Sequence, residues 1–529
     1  MKVTNISFKN TGFFSKAMID YLEQSPKLQP FYGNFPNIEG FKNQLEQKRN
    51  FSNSHRKTLV SVLKNQYKNS KTSEATQQNI EILASENTFT VTTGHQLNLF
   101  TGPLYFLYKI VSTINLCEEL QTQFPKENFV PVYWMATEDH DFEEINFFNF
   151  DGKKVQWNSH QTGGVGRFST EGLDHVLEVF SEHLGTSKNA EYLTQLFREA
   201  YIEHNNLAEA TRYIANELFG SYGLVIVDGD DSELKREFIP YVTKELTEQF
   251  SFKNTSKTIK SLEEDYKIQV NPREINLFYL TDILRERIVL ENGFYKVNDT
   301  EISWSLEELK KEINDFPERF SPNVILRPLY QEVILPNLCY IGGGGELAYW
   351  LELKSVFEEA GIPFPILLLR NSVQVVSEKQ AKKLRRLELS IQDIFIKQNT
   401  LIQQKVLDNS ENKVDFTQQK QFLKEQFEKL SVLAEKTDVS FIGAVKAQER
   451  KQQKGLDNLE KRWLRAEKRR QKDLVDRITL LQNEILPNQS LEERQRNFSE
   501  YYLEYGVDFI KVLKENLHPL QLKFTILEL

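Results

Sequence analysis

Two short polar runs stand where apolar runs stop. Phe89 to Thr92 gives way to Thr93-Gly94-His95-Gln96, and Phe129 to Met135 gives way to Glu138-Asp139-His140-Asp141. An imidazole beside carboxylates can serve as an oriented base or position an amine. His95 and Gln96 carry groups able to polarise a carboxyl or its leaving group. Gly94 and Gly102 alone would read as turns, but ionisable residues in succession, as in 138–141, exceed what solubility asks of a strand end. A metal role is open to these residues, but two histidines with carboxylates at these spacings match no strong zinc pattern, and no metal ligand is assigned.

A third run, Gly342-Gly343-Gly344-Gly345-Glu346, follows an apolar stretch and precedes a helical one. Bare backbone N–H groups there suit a carboxylate or a phosphate. No Lys-Ser/Thr follows, which excludes a Walker A loop, and the position is not that of a dinucleotide-binding GxGxxG. A tight loop without a ligand is the competing reading. Arg327 and Gln331 lie on the same stretch, and either could hold a carboxylate, although each taken singly reads as structural. Cys339 sits in an apolar run with no local base and reads as an inert buried thiol, as does Cys117.

These residues need a frame. Runs at 88–92, 129–135, 223–228, 324–327, 337–341 and 364–369 read as strands separated by helical patterns. That alternation predicts a parallel α/β sheet with ligands at the strands' C-terminal edge. Leu224 to Val227, apolar throughout, fits a strand covered on both faces, and it ends in Asp228-Gly229-Asp230-Asp231. Thr101 as an N-cap and Pro103 in the first turn predict a long amphipathic helix. Segments near 151–205 and 245–320 read as insertions at the ligand edge. Residues 1–85 read as helical and packed on a core spanning 86–375.

From 376 to 529 the period becomes helical. Leu423, Phe427, Leu430 and Ala434, then Leu456, Leu459, Trp463 and Ala466, predict a coiled-coil hairpin with Arg470 in its seam. Its second helix is expected to run unbroken over 437–486. That is more seam than one partner helix covers, so a homodimer contact is expected. Beyond it, Ser490 and Glu493 stand at capping-box spacing, which leaves Arg494 and Asn497 unexplained.

The chain's 529 residues exceed what one core holds. Its 27% of charged residues suits a soluble protein. No run approaches the ~20 apolar residues of a membrane helix, the N-terminus has no signal-peptide core, and the two cysteines form no CxxC. A cytoplasmic protein is expected. A net charge of −9 gives no reason to expect nucleic acid. Between Lys446 and Arg477 twelve Lys/Arg face six Asp/Glu, which reads as the solvated face of a coiled coil.

TGHQ, LFTGPLY and YK, then PVYWMATEDHDFEEIN, RPLYQEVILPN, GGGGELAYWLELK and LPNQSLEER follow one another in this chain. In that order they resemble the BshC family, the cysteine-adding enzymes of bacillithiol biosynthesis, over most of residues 90–500. The resemblance implies a Rossmann-like core with two insertions and a C-terminal α-helical coiled coil that dimerises. It also implies a reaction, in which the free amine of glucosaminyl-malate is joined to the carboxyl group of cysteine. The family's core is similar to class I aminoacyl-tRNA synthetases and nucleotidylyltransferases. That likeness implies ATP or another nucleotide as activating cosubstrate and puts His95 and Thr101-Gly102-Pro103 where an activated phosphate would sit. A nucleotide site near the coiled coil, associated with the family, falls on Arg494 and Asn497.

The catalytic candidates are therefore His95, Gln96, Asp139, His140 and Asp141. Thr101, Arg327, Gln331, Gly342, Gly343, Gly344, Gly345 and Glu346 are the substrate-binding candidates. Two other readings stand beside this one. The first is an adenylate-forming or nucleotidyl-transferring enzyme with another acceptor, and the second is a non-catalytic coiled-coil scaffold.

Overall fold

A computed structural model describes residues 1–411 and 416–529. At its centre lies a parallel sheet built from β1 (Thr88–His95), β2 (Asn128–Met135), β3 (Val225–Asp228), β4 (Asn337–Gly342) and β5 (Ile366–Leu369). Its order is β5-β4-β1-β2-β3. Every residue of β1 is buried, as a strand covered on both faces requires, and its Thr and Val residues suit the pleat. The strand order reverses between β1 and β4, and in such sheets the crevice beyond the strands' carboxyl ends at that switch point is where ligands bind.

Helix α1 (Tyr105–Gln123) joins β1 to β2 and is buried on most sides, so the expected amphipathic stripe is absent. Nor does Thr101 cap it. Thr101 lies in a turn at φ +68°, beside Phe100 at φ +47°, and the helix starts four residues later. Helix α2 (Ser232–Glu248) follows β3, with the Asp231 carboxylate capping it.

No strand forms at 324–327. The Asn323 side chain accepts from the Ile325 and Leu326 amides at 2.9 and 3.4 Å, which turns the chain. Pro328 then favours a first helical turn, so Arg327 opens α3 (Arg327–Ile334). After β4 comes α4 (Gly344–Trp350).

The first insertion carries helices Leu173–Leu184 and Lys188–Tyr201. The second forms an antiparallel sheet in which Leu277–Leu280 lies between Arg285–Glu291 and Phe320–Pro322. Residues 1–85 are not wholly helical. Lys2–Ile6 is a strand paired antiparallel with Phe524–Glu528, which also pairs with Val373–Val376.

The hairpin consists of α5 (Thr417–Ala434) and α6 (Val439–Arg470). The expected unbroken helix stops at Gln471, with φ −102° and ψ +34°, and α7 (Lys472–Ile485) resumes in a new direction. The reason lies in what each part covers. Ile478, Leu481 and Ile485 of α7 join the main core, whereas Phe427, Ala434 and Val445 form a small separate cluster in the hairpin. Leu430 and Leu459 of the predicted seam are exposed. Among the described residues, no helix is long and apolar enough to cross a membrane.

Candidate active site

The crevice between β1 and β4 is filled by charge. Gly94 sits at its floor, where a Cβ would lie 3.0 Å from the Tyr340 hydroxyl. From α1, the Lys109 ammonium reaches back to donate to the Gly94 carbonyl at 2.7 Å and pairs with Glu346 at 2.6 Å. Glu346 also accepts from the Gly343 amide (3.1 Å) and the Tyr340 hydroxyl (2.8 Å). The second amide of the glycine run thus meets an anion, and that anion is the chain's own carboxylate. Burial opposes the charge on Glu346, but Lys109 and these donors hold its carboxyl below the ordinary range. The next glycine has a packing duty, since a Cβ on Gly344 would stand 3.1 Å from Met18.

Arg327 forms one wall. Its Nη2 donates to the Tyr349 hydroxyl at 2.9 Å and its Nη1 to the Gln331 side-chain oxygen at 3.3 Å. Gln331 is fully buried, so it supports Arg327 from behind rather than facing the crevice. It donates in turn to Glu332 (3.1 Å), whose other oxygen meets Lys48 at 2.8 Å. A polar chain thereby runs from the N-terminal helices to the site.

The opposite wall comes from the C-terminal region. Glu493 is fully buried and takes both terminal nitrogens of Arg370 at 3.0 and 2.8 Å, together with the Ser372 hydroxyl. This pairing replaces the expected capping box with Ser490, because a buried guanidinium needs a counter-charge more than a helix end needs a cap. Arg370 lies 4.9 Å from the centre of the Tyr105 ring, and the charge of exposed Arg494 also reaches that tyrosine. Arg494 follows Glu493 in the chain, which puts its backbone beside that buried pair. Asn497 is buried nearby and donates to the carbonyls of Phe100 (2.8 Å) and Gly102 (2.6 Å). It pins the strained turn containing Thr101, and no edge of its amide is left for a ligand.

The run after β2 makes a second cluster on the same sheet edge. Glu138 pairs with the buried Lys235 of α2. Asp139 accepts from Gln96 at 3.0 Å and from the His140 amide at 2.8 Å. Burial alone would raise the Asp139 carboxyl, but the neighbouring His140 side chain, these bonds and the Arg285 charge hold it well below the usual carboxylate range. Asp141 is exposed, makes no capping bond to the helix that follows, and is raised by burial and by Asp139. One carboxylate is thus held ionised, and the other is the more readily protonated of the two.

Gln96 joins the two strand ends, donating to Asp139 and to Glu144 at 3.0 Å each. His95 lies a layer below. Its ring is buried between Tyr105 and Phe106, at 5.5 and 5.1 Å, and burial next to Lys109 keeps the imidazole neutral by lowering its pKa well below the ordinary value. Both cysteines are buried, and burial pushes both thiols up, as expected of inert groups.

Sequence reasoning missed Lys109, Arg370, Glu493 and Arg285. Lys109 did leave a signal, as a single charge within the apolar stretch from Tyr105 to Val111.

The model for "Bacillithiol biosynthesis BshC, N-terminal Rossmann-like domain" matches residues 1–371, and that for the BshC C-terminal coiled-coil domain matches 373–529. A protein of Flavobacterium psychrophilum named "Putative cysteine ligase BshC" is 58% identical over 99% of both chains. Its namesake in Christiangramia forsetii is 57% identical over 100% of this chain and 99% of its own. One from Bacillus cytotoxicus is 29% identical over 93% of this chain and 94% of its own. With both of its halves matched, this chain belongs to the BshC family of bacillithiol biosynthesis.

Proposed function

We propose that this protein is a ligase joining the carboxyl group of cysteine to the free amine of glucosaminyl-malate, with a nucleotide such as ATP activating the carboxylate. Relatives that match it end to end carry the name of a cysteine ligase. The observation that carries the reading is the Gln96–Asp139 bond, which locks a basic crevice beside a loop holding a free carboxylate. A ligase needs both, one part for the activated acyl group and the other for the amine.

The donor set at the crevice fits an anionic group. Lys109, Arg327, Arg370 and Arg494 stand against Glu346 and Glu493, leaving positive charge in excess. Lys109 and Arg370 are already paired, so Arg327 and Arg494 would hold phosphate or carboxylate oxygens. A bound nucleotide supplies the leaving group that an unactivated carboxylate lacks. Asp139, ionised throughout, orients the amine. Asp141 takes the proton the nitrogen loses as its lone pair forms the amide bond, and the leaving group departs with the electrons of the bond that breaks.

The test is direct. Purified protein is given glucosaminyl-malate, cysteine and ATP, and bacillithiol is sought by mass spectrometry, with ATP–pyrophosphate exchange run against a panel of amino acids. Product formation that depends on all three supports the reading. Full activity in an Asp141→Ala/His140→Ala variant would sink the site assignment.

We also propose that the protein acts in the cytoplasm as a homodimer joined through the hairpin. Two buried free thiols suit a reducing compartment. Phe422, Leu433, Val439 and Phe441 stand exposed on the hairpin, as the surface of a missing partner would.

A further inference from the structure

His140 beside Asp139 suggests the familiar arrangement in which a carboxylate holds the Nδ1–H of a histidine and leaves Nε2 free as a base. The geometry is different. The Asp139 oxygen lies 3.7 Å from His140 Nδ1, beyond hydrogen-bond reach, and it is engaged by the His140 backbone amide instead. What meets Nδ1 is the Arg285 guanidinium, at 2.7 Å.

A guanidinium has five N–H donors and no acceptor. The atom it touches must therefore present a lone pair, so Nδ1 carries no proton and the neutral ring is protonated on Nε2. A doubly protonated ring would set N–H against N–H and one cation against another. Arg285 is not free to swing aside. It begins the strand Arg285–Glu291, and its backbone pairs with Leu280. Its guanidinium lies 4.1 Å from the centre of the Phe278 ring, and its Nε donates to the Ser321 hydroxyl at 3.3 Å. His140 packs against the same phenylalanine, with ring centres 5.6 Å apart. Glu138, Asp139 and Asp141 surround the guanidinium with negative charge.

We propose that Arg285, a residue of the second insertion, is a positioning residue that fixes His140 as a hydrogen-bond donor through Nε2. Resting on the ligase reading above, the inference gives His140 the task of holding an oxygen of the acyl group or its leaving group. The amine proton then passes to Asp141, because an imidazole nitrogen already bearing hydrogen cannot take it. The second insertion thus reaches into the chemistry through a single side chain.

Long-range 15N–1H NMR on full-length protein labelled in its histidine rings, assigned with His140→Gln, reads the tautomer without turnover. The expected spectrum shows His140 with Nδ1 unprotonated and Nε2 protonated. This preference should be lost in Arg285→Met, which has no donor, and kept in Arg285→Lys, which retains one. A wild-type ring protonated on Nδ1 would overturn the inference. In the activity arm His140→Gln, which can still donate, should keep at least about a tenth of the rate, whereas His140→Phe should lose about 100-fold, the usual cost of a missing oxyanion donor. Equal losses in the two variants would overturn the donor role. Because the ring measurement needs no turnover, an absence of ligase activity would count against the proposed reaction while the spectrum still decides the tautomer.

Discussion

The buried pair Lys48–Glu332 offers a quantitative check on how the site is held. The two groups meet at 2.8 Å with side-chain exposures of 2% and 0%. Glu332 also accepts from Gln331 at 3.1 Å and Asn337 at 2.6 Å, while burial pushes its carboxyl up against the pull of Lys48. Glu332→Gln leaves an ammonium in the core without a counter-charge, and Lys48→Met leaves a carboxylate. Each should cost about 3–5 kcal/mol. The double variant Lys48→Met/Glu332→Gln buries no charge and keeps one oxygen to accept an amide donor. It should lose only about 1–2 kcal/mol, so that adding the second substitution restores stability. Guanidinium unfolding followed by tryptophan fluorescence and circular dichroism measures the four proteins. A double variant whose loss equals the sum of the single losses would refute the coupling, and with it the view that this chain of contacts supports Arg327.

Three other predictions concern a buried carboxyl, an exposed arginine and the hairpin surface. Burial raises the Glu352 carboxyl from about 4.5 to about 7, so between those pH values the folded chain holds a proton that the unfolded chain has released. Stability from this group is full below about 4.5 and is lost as pH rises through 7. Glu352→Gln should remove that loss and be more stable than the parent at pH 8, by up to about 3 kcal/mol, as read from unfolding midpoints across pH. Arg494→Ala should weaken ATP binding about tenfold or more in calorimetry and leave the unfolding midpoint in place, because Arg494 is exposed; unchanged affinity would remove it from the site. Val439→Asp/Phe441→Asp should turn a dimer into a monomer in sedimentation, and a dimer that persists would move the interface off the hairpin.

The strands were legible in the sequence where burial on both faces wrote a continuous apolar run, as in β2 and β3, or where β-branched and apolar residues alternate, as in β1. The run at 324–327 misled because Asn323 and Pro328 act through turn and cap geometry, which outweighed three apolar residues. The two polar strand ends could be read because strand termini on one sheet edge must be neighbours. Arg285 could not, since 145 residues separate it from the histidine it touches and nothing local marks it. Glu493 was visible but misassigned, because a local capping pattern cannot reveal a buried arginine 123 residues away. The hairpin's period was plain, yet periodicity alone could not tell a helix docked on the core, such as α7, from one that projects, such as α6.

Strand Lys2–Ile6 pairs with Phe524–Glu528, and this ordering in the chain sets a clock on biosynthesis. At ~5–20 residues per second, residues 2–6 leave the ribosome on the order of half a minute or more before their partner strand exists. The Thr101 turn waits almost as long for the Asn497 side chain that pins it, and Arg370, made later, waits a further 123 residues for Glu493. The Rossmann-like sheet can assemble early, but its carboxyl edge gains these contacts only when the far end of the chain returns to it. Synthesis interrupted within that span leaves the sheet without the Glu493 and Asn497 contacts, so the N-terminal domain alone lacks the partners that arrange its carboxyl edge.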